Sequence, residues 1–170
     1  KLLLEKGLRP AALAGHSLGE YSALAIGEAF DFGTGLNLVK VRAENMAQAG
    51  RLQEGSMAAI IGLDDDRVTD LCNDYPGEGI VVAANFNSPG QVVISGTPEA
   101  VTTVMTTAKS NGARMAAPLN VSGAFHSPLM APAREALAVE LNSIQISDSI
   151  YPIYANVNAQ PNTLGLKIKD

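Results

Sequence analysis

Cysteine is nearly absent. The 170 residues hold one, Cys72, so no disulfide can form within the chain, and a reducing, cytoplasmic setting is the natural expectation (an organelle if the source is eukaryotic). Histidine is almost as scarce: only His16 and His126 occur, and no His/Cys cluster has ligand spacing, so no metal site is expected. No P-loop and no G-x-G-x-x-G is present, which removes the usual phosphate cradles. No apolar run reaches the length of a transmembrane helix, no signal peptide stands out, and no solenoid repeat or low-complexity tract is seen. Charged residues make up 17 % and the net charge is -5, a field that repels a phosphate backbone and argues against nucleic acid as the partner. What is plentiful is apolar: 46 % hydrophobic residues, enough for a globular chain with a real core. The chain opens with Lys1 rather than Met, inside KLLLEKG, which reads as the end of a helix with Gly7 as its C-cap. It closes at LKIKD with no finishing element. An interior piece of a longer protein is therefore expected.

Along the chain, AALAG (11 to 15) reads as a short buried strand and 18 to 30 as an apolar helix. Asp31 can cap the next helix, about 33 to 49, with Leu36, Val39, Ala43 and Met46 as its apolar stripe. From residue 56 the texture changes. SMAAIIGL is a strand, DDDRVTDLCNDY a helix with Val68, Leu71, Cys72 and Tyr75 at helical spacing, and Pro76-Gly77 a break. IVVAANF and QVVISG are strands joined by the turn NSPG. Thr97 caps a helix with Pro98 at its first position, and ARMAAPL is a last strand. The order β-α-β-β-α-β over 56–120 is that of a ferredoxin-like unit. After it, Ser127 and Pro128 open a helix with Met130, Ala133, Leu137 and Leu141 on one side, and IYPIYANVNA returns as strand and loop. The expected fold is α/β: a hydrolase-like α/β part, incomplete here (1–55 and 121–170), interrupted by a ferredoxin-like βαββαβ insertion.

One stretch carries chemistry. In AALAGHSLGEYSAL, Gly15, Ser17 and Gly19 form G-x-S-x-G between the strand and the helix, the context of a nucleophile elbow. The small residues suit a tight, strained turn. A serine hydroxyl needs a neighbouring base. His16 adjoins Ser17, but adjacent side chains at an elbow diverge. His126, in the loop SGAFHS, can be brought back by an inserted domain and is the base of choice. No carboxylate is well placed to orient it: Asp64, Asp65, Asp66, Asp70 and Asp74 read as a helix N-terminus and its wet face, and Asp31 as a cap. That points away from an ordinary hydrolase triad. Arg42 sits about 70° from the centre of its helix's stripe, where a guanidinium can reach into a cleft and hold a carboxylate. Asn85 and Asn87 read as turn residues, Arg114 as a surface charge and Cys72 as a packed helix residue.

GHSLGEYSAL around Ser17, Arg42 in LVKVRAENMAQ, NFNSPGQVVISG, GAFHSPLM around His126 and YANVNAQP together resemble the malonyl-CoA:acyl carrier protein transacylase family of fatty acid synthesis. Acyltransferase domains of polyketide synthases share this ordered set. The resemblance runs over essentially the whole chain. It implies a ping-pong transfer without a cofactor, in which malonyl-CoA is a substrate and acyl carrier protein the acceptor. By that resemblance Ser17 is the nucleophile, His126 the base, the backbone N–H of Leu18 an oxyanion donor and Arg42 the clamp on the free malonyl carboxylate. Phe125, in GAFH, narrows the site against branched acyl chains. A backbone carbonyl or amide orients the histidine in this family, which accounts for the missing acid. The family's Gly-Gln-Gly segment, with the other oxyanion donor, would precede Lys1, and its histidine-orienting glutamine would follow Asp170. An acidic chain and an acidic carrier protein repel, so a local basic surface is expected, with Lys109 and Arg114 as contributors. A serine hydrolase or thioesterase on the same elbow, or a polyketide-synthase acyltransferase domain, is the alternative, and a non-catalytic binding module built on residues 56–120 a more distant one.

Overall fold

The computed structural model describes residues 2–165; Lys1, the first residue of the expected opening helix end, and the closing LKIKD lie outside them. In chain order the elements are α1 (Leu2–Glu5), β1 (Leu13–Ala14), α2 (Leu18–Ile26), α3 (Phe32–Leu52), β2 (Ser56–Ile61), α4 (Asp65–Asn73), β3 (Val81–Ser88), β4 (Gln91–Gly96), α5 (Pro98–Ser110), β5 (Met115–Pro118), α6 (Ala131–Ser143), β6 (Ile153–Tyr154) and β7 (Pro161–Asn162). The fold is α/β with two sheets. The chain divides into two compact units, Lys1–Ala43 with Ala136–Asp170, and Glu44–Glu135. Among the described residues no helix is long and apolar enough to cross a membrane.

The Glu44–Glu135 unit carries a four-stranded antiparallel sheet in the order β3-β4-β2-β5. β2 and β4 pair over six residues, from Ser56↔Gly96 to Ile61↔Gln91. Side chains alternate across a strand, so Ala58 and Ile60 of β2 and Val92 and Ile94 of β4 share one face. Val68, Leu71 and Cys72 of α4 and Val101, Val104 and Ala108 of α5 cover that face. Each aliphatic side chain so buried contributes about 1.5–3 kcal/mol. Cys72 is part of this core, and burial pushes its thiol up to about 11. Thr97 precedes α5 as expected, but its side chain makes no cap hydrogen bond; its hydroxyl is turned to the backbone of Ile80.

The other unit has shorter strands: β1 and β6 pair in parallel, Leu13↔Ile153 and Ala14↔Tyr154, and β7 adds antiparallel to β6. Its core is Ala23 and Leu24 of α2, Ala29, Phe30, Leu38 of α3 and Ile153, with Leu137 and Leu141 of α6 against them. α2 stops at Ile26, short of the expected residue 30, because Gly27 caps it and Glu28 turns to a left-handed φ of 61°. Asp31 does cap α3, its carboxylate accepting the Thr34 N–H at 2.7 Å. These hydrogen bonds hold the Asp31 carboxyl below the usual range. The expected stripe of α3 is corrected at two of its four positions; at the others Val39 and Met46 are half-buried, Met46 against Ala49 and Met130. Leu36 is 58 % exposed and Ala43 exposed, whereas Leu38 is 1 % exposed and Gly35 packs against the Phe30 ring. Three and seven residues after Gly35 come Leu38 and Arg42, so Arg42 lies within the covered stripe rather than on its flank.

Candidate active site

β1 ends at Ala14 and α2 begins at Leu18, so three residues make the turn. Ser17 sits at its apex with φ 52° and ψ -104°. A serine rarely adopts this backbone, which costs about 1–3 kcal/mol and persists only where neighbours hold it. Gly15 is required by space: a Cβ there would lie 2.0 Å from the backbone carbonyl of Gly19. Gly19 is not, since a Cβ there meets no atom within 4 Å. The expectation that both glycines are needed for space therefore holds for Gly15 alone. Leu18 opens the helix, and no acceptor takes its backbone N–H among the described residues, as is usual for a first helical turn.

Arg42 reaches this apex. Its Nη2 donates to Ser17 Oγ at 2.7 Å, and its guanidinium carbon stands 5.9 Å from the centre of the Tyr21 ring. A half-buried cation on the hydroxyl favours negative charge on that oxygen and attracts any carboxylate brought near it. Burial raises the Tyr21 phenol above its ordinary range, against the lowering pull of Arg42. Glu20 is raised as well, by burial first, with an opposing hydrogen bond from the backbone N–H of Asn156.

Asn156 is the residue that sequence reasoning left without a role, although YANVNAQP was singled out. Its Oδ1 accepts the Ser17 N–H at 2.7 Å, and its Nδ2 donates to the Gly15 carbonyl at 2.6 Å. Its own N–H donates to Glu20 Oε1 at 3.4 Å. The signal that could have found it is register. β6 runs parallel to β1, and the pairing Leu13↔Ile153 continues to His16 opposite Asn156.

Ser17, Leu18 and Arg42 thus belong to one unit and meet at the elbow. His126 and Phe125 are neighbours in the Glu44–Glu135 unit. His126 has a φ of 59°, and with Ser17 it is one of four non-glycine residues at positive φ among those described. The loop around it is pinned. Ser127 Oγ donates to the Ala124 carbonyl at 2.6 Å and accepts the Leu129 N–H at 3.2 Å, capping the short 3-10 turn Pro128–Met130 that precedes α6. Phe125 packs against a small cluster of Ala49, Met130 and Ala133. Among the described residues no group of three or more His, Cys, Asp or Glu could hold a metal ion.

The acyl transferase domain family matches residues 1–167. The chain belongs to that family. As an acyl transferase domain it is 44 % identical over 167 residues to the malonyl CoA-acyl carrier protein transacylase of Bacillus subtilis, covering 98 % of this chain and 53 % of that protein. It is likewise similar to the crystal structure of an acyl carrier protein S-malonyltransferase from Vibrio cholerae. That likeness has a TM-score of 0.93 and 42 % identity, over 99 % of this chain and 56 % of the other. A third likeness, at TM-score 0.92 and 40 % identity, is to a malonyl-transacylase solved in complex with its type II PKS acyl-carrier protein, over 99 % of this chain and 55 % of that one. The acyl transferase domain described here spans about half the length of the curated relatives it matches.

Proposed function

We propose that the protein transfers a malonyl group from malonyl-CoA to the phosphopantetheine thiol of acyl carrier protein, in fatty acid biosynthesis, through a malonyl ester on Ser17. Ser17 Oγ attacks the thioester carbonyl and its proton passes to His126. Charge gathers on the carbonyl oxygen, where the Leu18 N–H donates to it; losing one such donor costs about 2.7–4 kcal/mol. The C–S bond then breaks, and the CoA thiolate leaves with the proton from His126. The carrier thiol repeats the sequence in reverse roles, and its sulfur takes the malonyl group away. The thioester supplies the activation, so the reaction balances without a cofactor. A cytoplasmic site of action goes with this reading, on the lone cysteine.

The observation that carries the reading is the hydrogen bond from Arg42 to Ser17 Oγ. In a malonyl group the free carboxylate is two bonds from the carbonyl that is attacked, so a clamp must stand close to the nucleophile. Arg42 exchanges the Ser17 hydroxyl for that carboxylate when the substrate enters, a fork-to-fork pairing suited to guanidinium. An acyl group without the carboxylate leaves the cation unpaired and is selected against. Phe125 narrows the acyl pocket, favouring malonyl over methylmalonyl. Residues 56–120 act as the inserted ferredoxin-like subdomain, a reading supported by the βαββαβ order and by a sheet in which the four strands stand second, third, first, fourth. Residues 1–55 and 121–170 form the hydrolase-like part around it. Exposed Lys109 and Arg114 contribute to the carrier-protein surface.

The test is intact-mass spectrometry of the full-length protein after brief exposure to malonyl-CoA or acetyl-CoA. A malonyl adduct is expected on the wild type and none on Ser17→Ala. Arg42→Ala is expected to lose malonyl loading by about 100-fold or more, as for removal of one partner of a buried charge pair, and to gain relative tolerance for acetyl. A thioesterase on this elbow would load both acyl groups alike, and an Arg42 variant unchanged with both would end the clamp reading.

A further inference from the structure

The elbow is held by a side chain standing in for a strand. The backbone N–H of Leu13 donates to the Pro152 carbonyl at 2.8 Å. In a parallel ladder such bonds recur at every second residue. Carried forward, the Tyr154 carbonyl faces the Gly15 N–H, and the Asn156 carbonyl should take the Ser17 N–H while the Asn156 N–H should meet the Gly15 carbonyl. Those last two bonds are present, but the Asn156 side-chain amide makes both. A carboxamide has one acceptor and one donor arm, so it can replace the two backbone groups of one strand residue. The strand's own N–H, released from the ladder, goes instead to the Glu20 carboxylate on the first turn of α2.

We infer that Asn156 is a positioning residue for acyl transfer: its carboxamide extends the β1–β6 ladder by one step and holds Ser17 in its left-handed conformation. The inference rests on the reading of Ser17 as nucleophile. A backbone ladder would need the chain at Asn156 to lie flat against the turn. The side chain reaches across and ties Gly15 to Ser17. The peptide planes on either side of His16 then have a fixed orientation. The next plane, which presents the Leu18 N–H, is held from its far side by the Ser17 carbonyl, which accepts the Glu20 N–H at 3.2 Å. Asn156 touches neither substrate nor reacting atoms, so its effect should fall on turnover and not on substrate binding.

The experiment measures malonyl loading of the full-length protein by rapid-quench mass spectrometry, for wild type, Ser17→Ala, Asn156→Ala and Asn156→Asp. Asn156→Ala is expected to lower kcat for loading by about 10- to 100-fold, the scale of a misplaced reacting group, with KM for malonyl-CoA within about two-fold of wild type. Asn156→Asp keeps the shape and the acceptor arm but aims an anionic oxygen at the Gly15 carbonyl. Protonation restores the donor arm. Its rate relative to wild type should therefore rise as the pH falls through its carboxyl pKa. An Asn156→Ala protein at wild-type kcat, or one altered in KM alone, overturns the inference while the Ser17 reading stands. A flat pH ratio for Asn156→Asp overturns it too, even if Asn156→Ala does not fold. An adduct surviving in Ser17→Ala overturns the nucleophile reading and this inference with it.

Discussion

The two sheets hold themselves together by different means. In the four-stranded sheet, β2 and β4 match over six residues, and two helices cover one face with Val68, Leu71, Val101 and Val104. Periodicity and apolar area suffice there, and a change at one position is diluted by its neighbours. In the three-stranded sheet, β1 and β6 match over two residues, and the ladder is continued past them by a single asparagine side chain. So short a sheet is marginal alone. It nevertheless carries Ser17 at a backbone conformation that regular structure would not tolerate. Regularity gives redundancy; the turn at Ser17 depends instead on a few side-chain contacts.

That contrast can be broken at its strongest point. Gly15→Ala puts a methyl group on the Gly19 backbone, so the turn must open; malonyl loading is expected to fall below detection in the adduct assay. Gly19→Ala, in the same motif, meets nothing and gains about 1 kcal/mol of helix propensity, so loading by a folded protein should persist. Equal damage from both would show that the motif's glycines act alike and that space at Gly15 is not the reason. In the regular sheet, Ile60→Ala removes a fully buried side chain and should cost about 2–5 kcal/mol in a denaturant titration. A loss under about 1 kcal/mol would mean that this core is looser than its burial suggests.

The smallest effect concerns Glu20. Burial raises its carboxyl above the ordinary 4.5, so ionisation is harder in the folded protein than in the unfolded chain. Its contribution is fully present below the unfolded value and is lost as pH rises through the raised one. Glu20→Gln keeps an acceptor for the Asn156 N–H and removes this titration. Thermal unfolding from pH 4.5 upward should fall less steeply for the variant than for wild type; parallel curves would contradict the burial argument.

The regular unit was the more legible in sequence. β4 coincides with QVVISG, because a turn precedes it and a helix with Pro98 follows at once. The elbow was legible for a different reason: a strand, a small-residue turn and a helix occur in immediate succession around Ser17. α3 was misjudged because apolar residues do not all point inward. Leu36 is exposed, and the covered stripe is shared by an aliphatic residue and a cation four residues apart, Leu38 and Arg42, which hydropathy cannot rank together. Asn156 was invisible for a deeper reason. Its partners lie about 140 residues away, and its task follows from strand register, which no local pattern encodes.

Cys72 has a practical consequence at the bench. It is the only thiol among these 170 residues, it is buried against the α4–α5 core, and burial pushes its pKa up to about 11, which disfavours the reactive thiolate at neutral pH. On the proposed transfer, Cys72 in the folded chain is expected to leave a thiol-reactive dye silent until coenzyme A is set free. On that reading the half-reaction is expected to be observable continuously by colour without replacing Cys72, and a slow rise in signal without substrate would mark the chain unfolding.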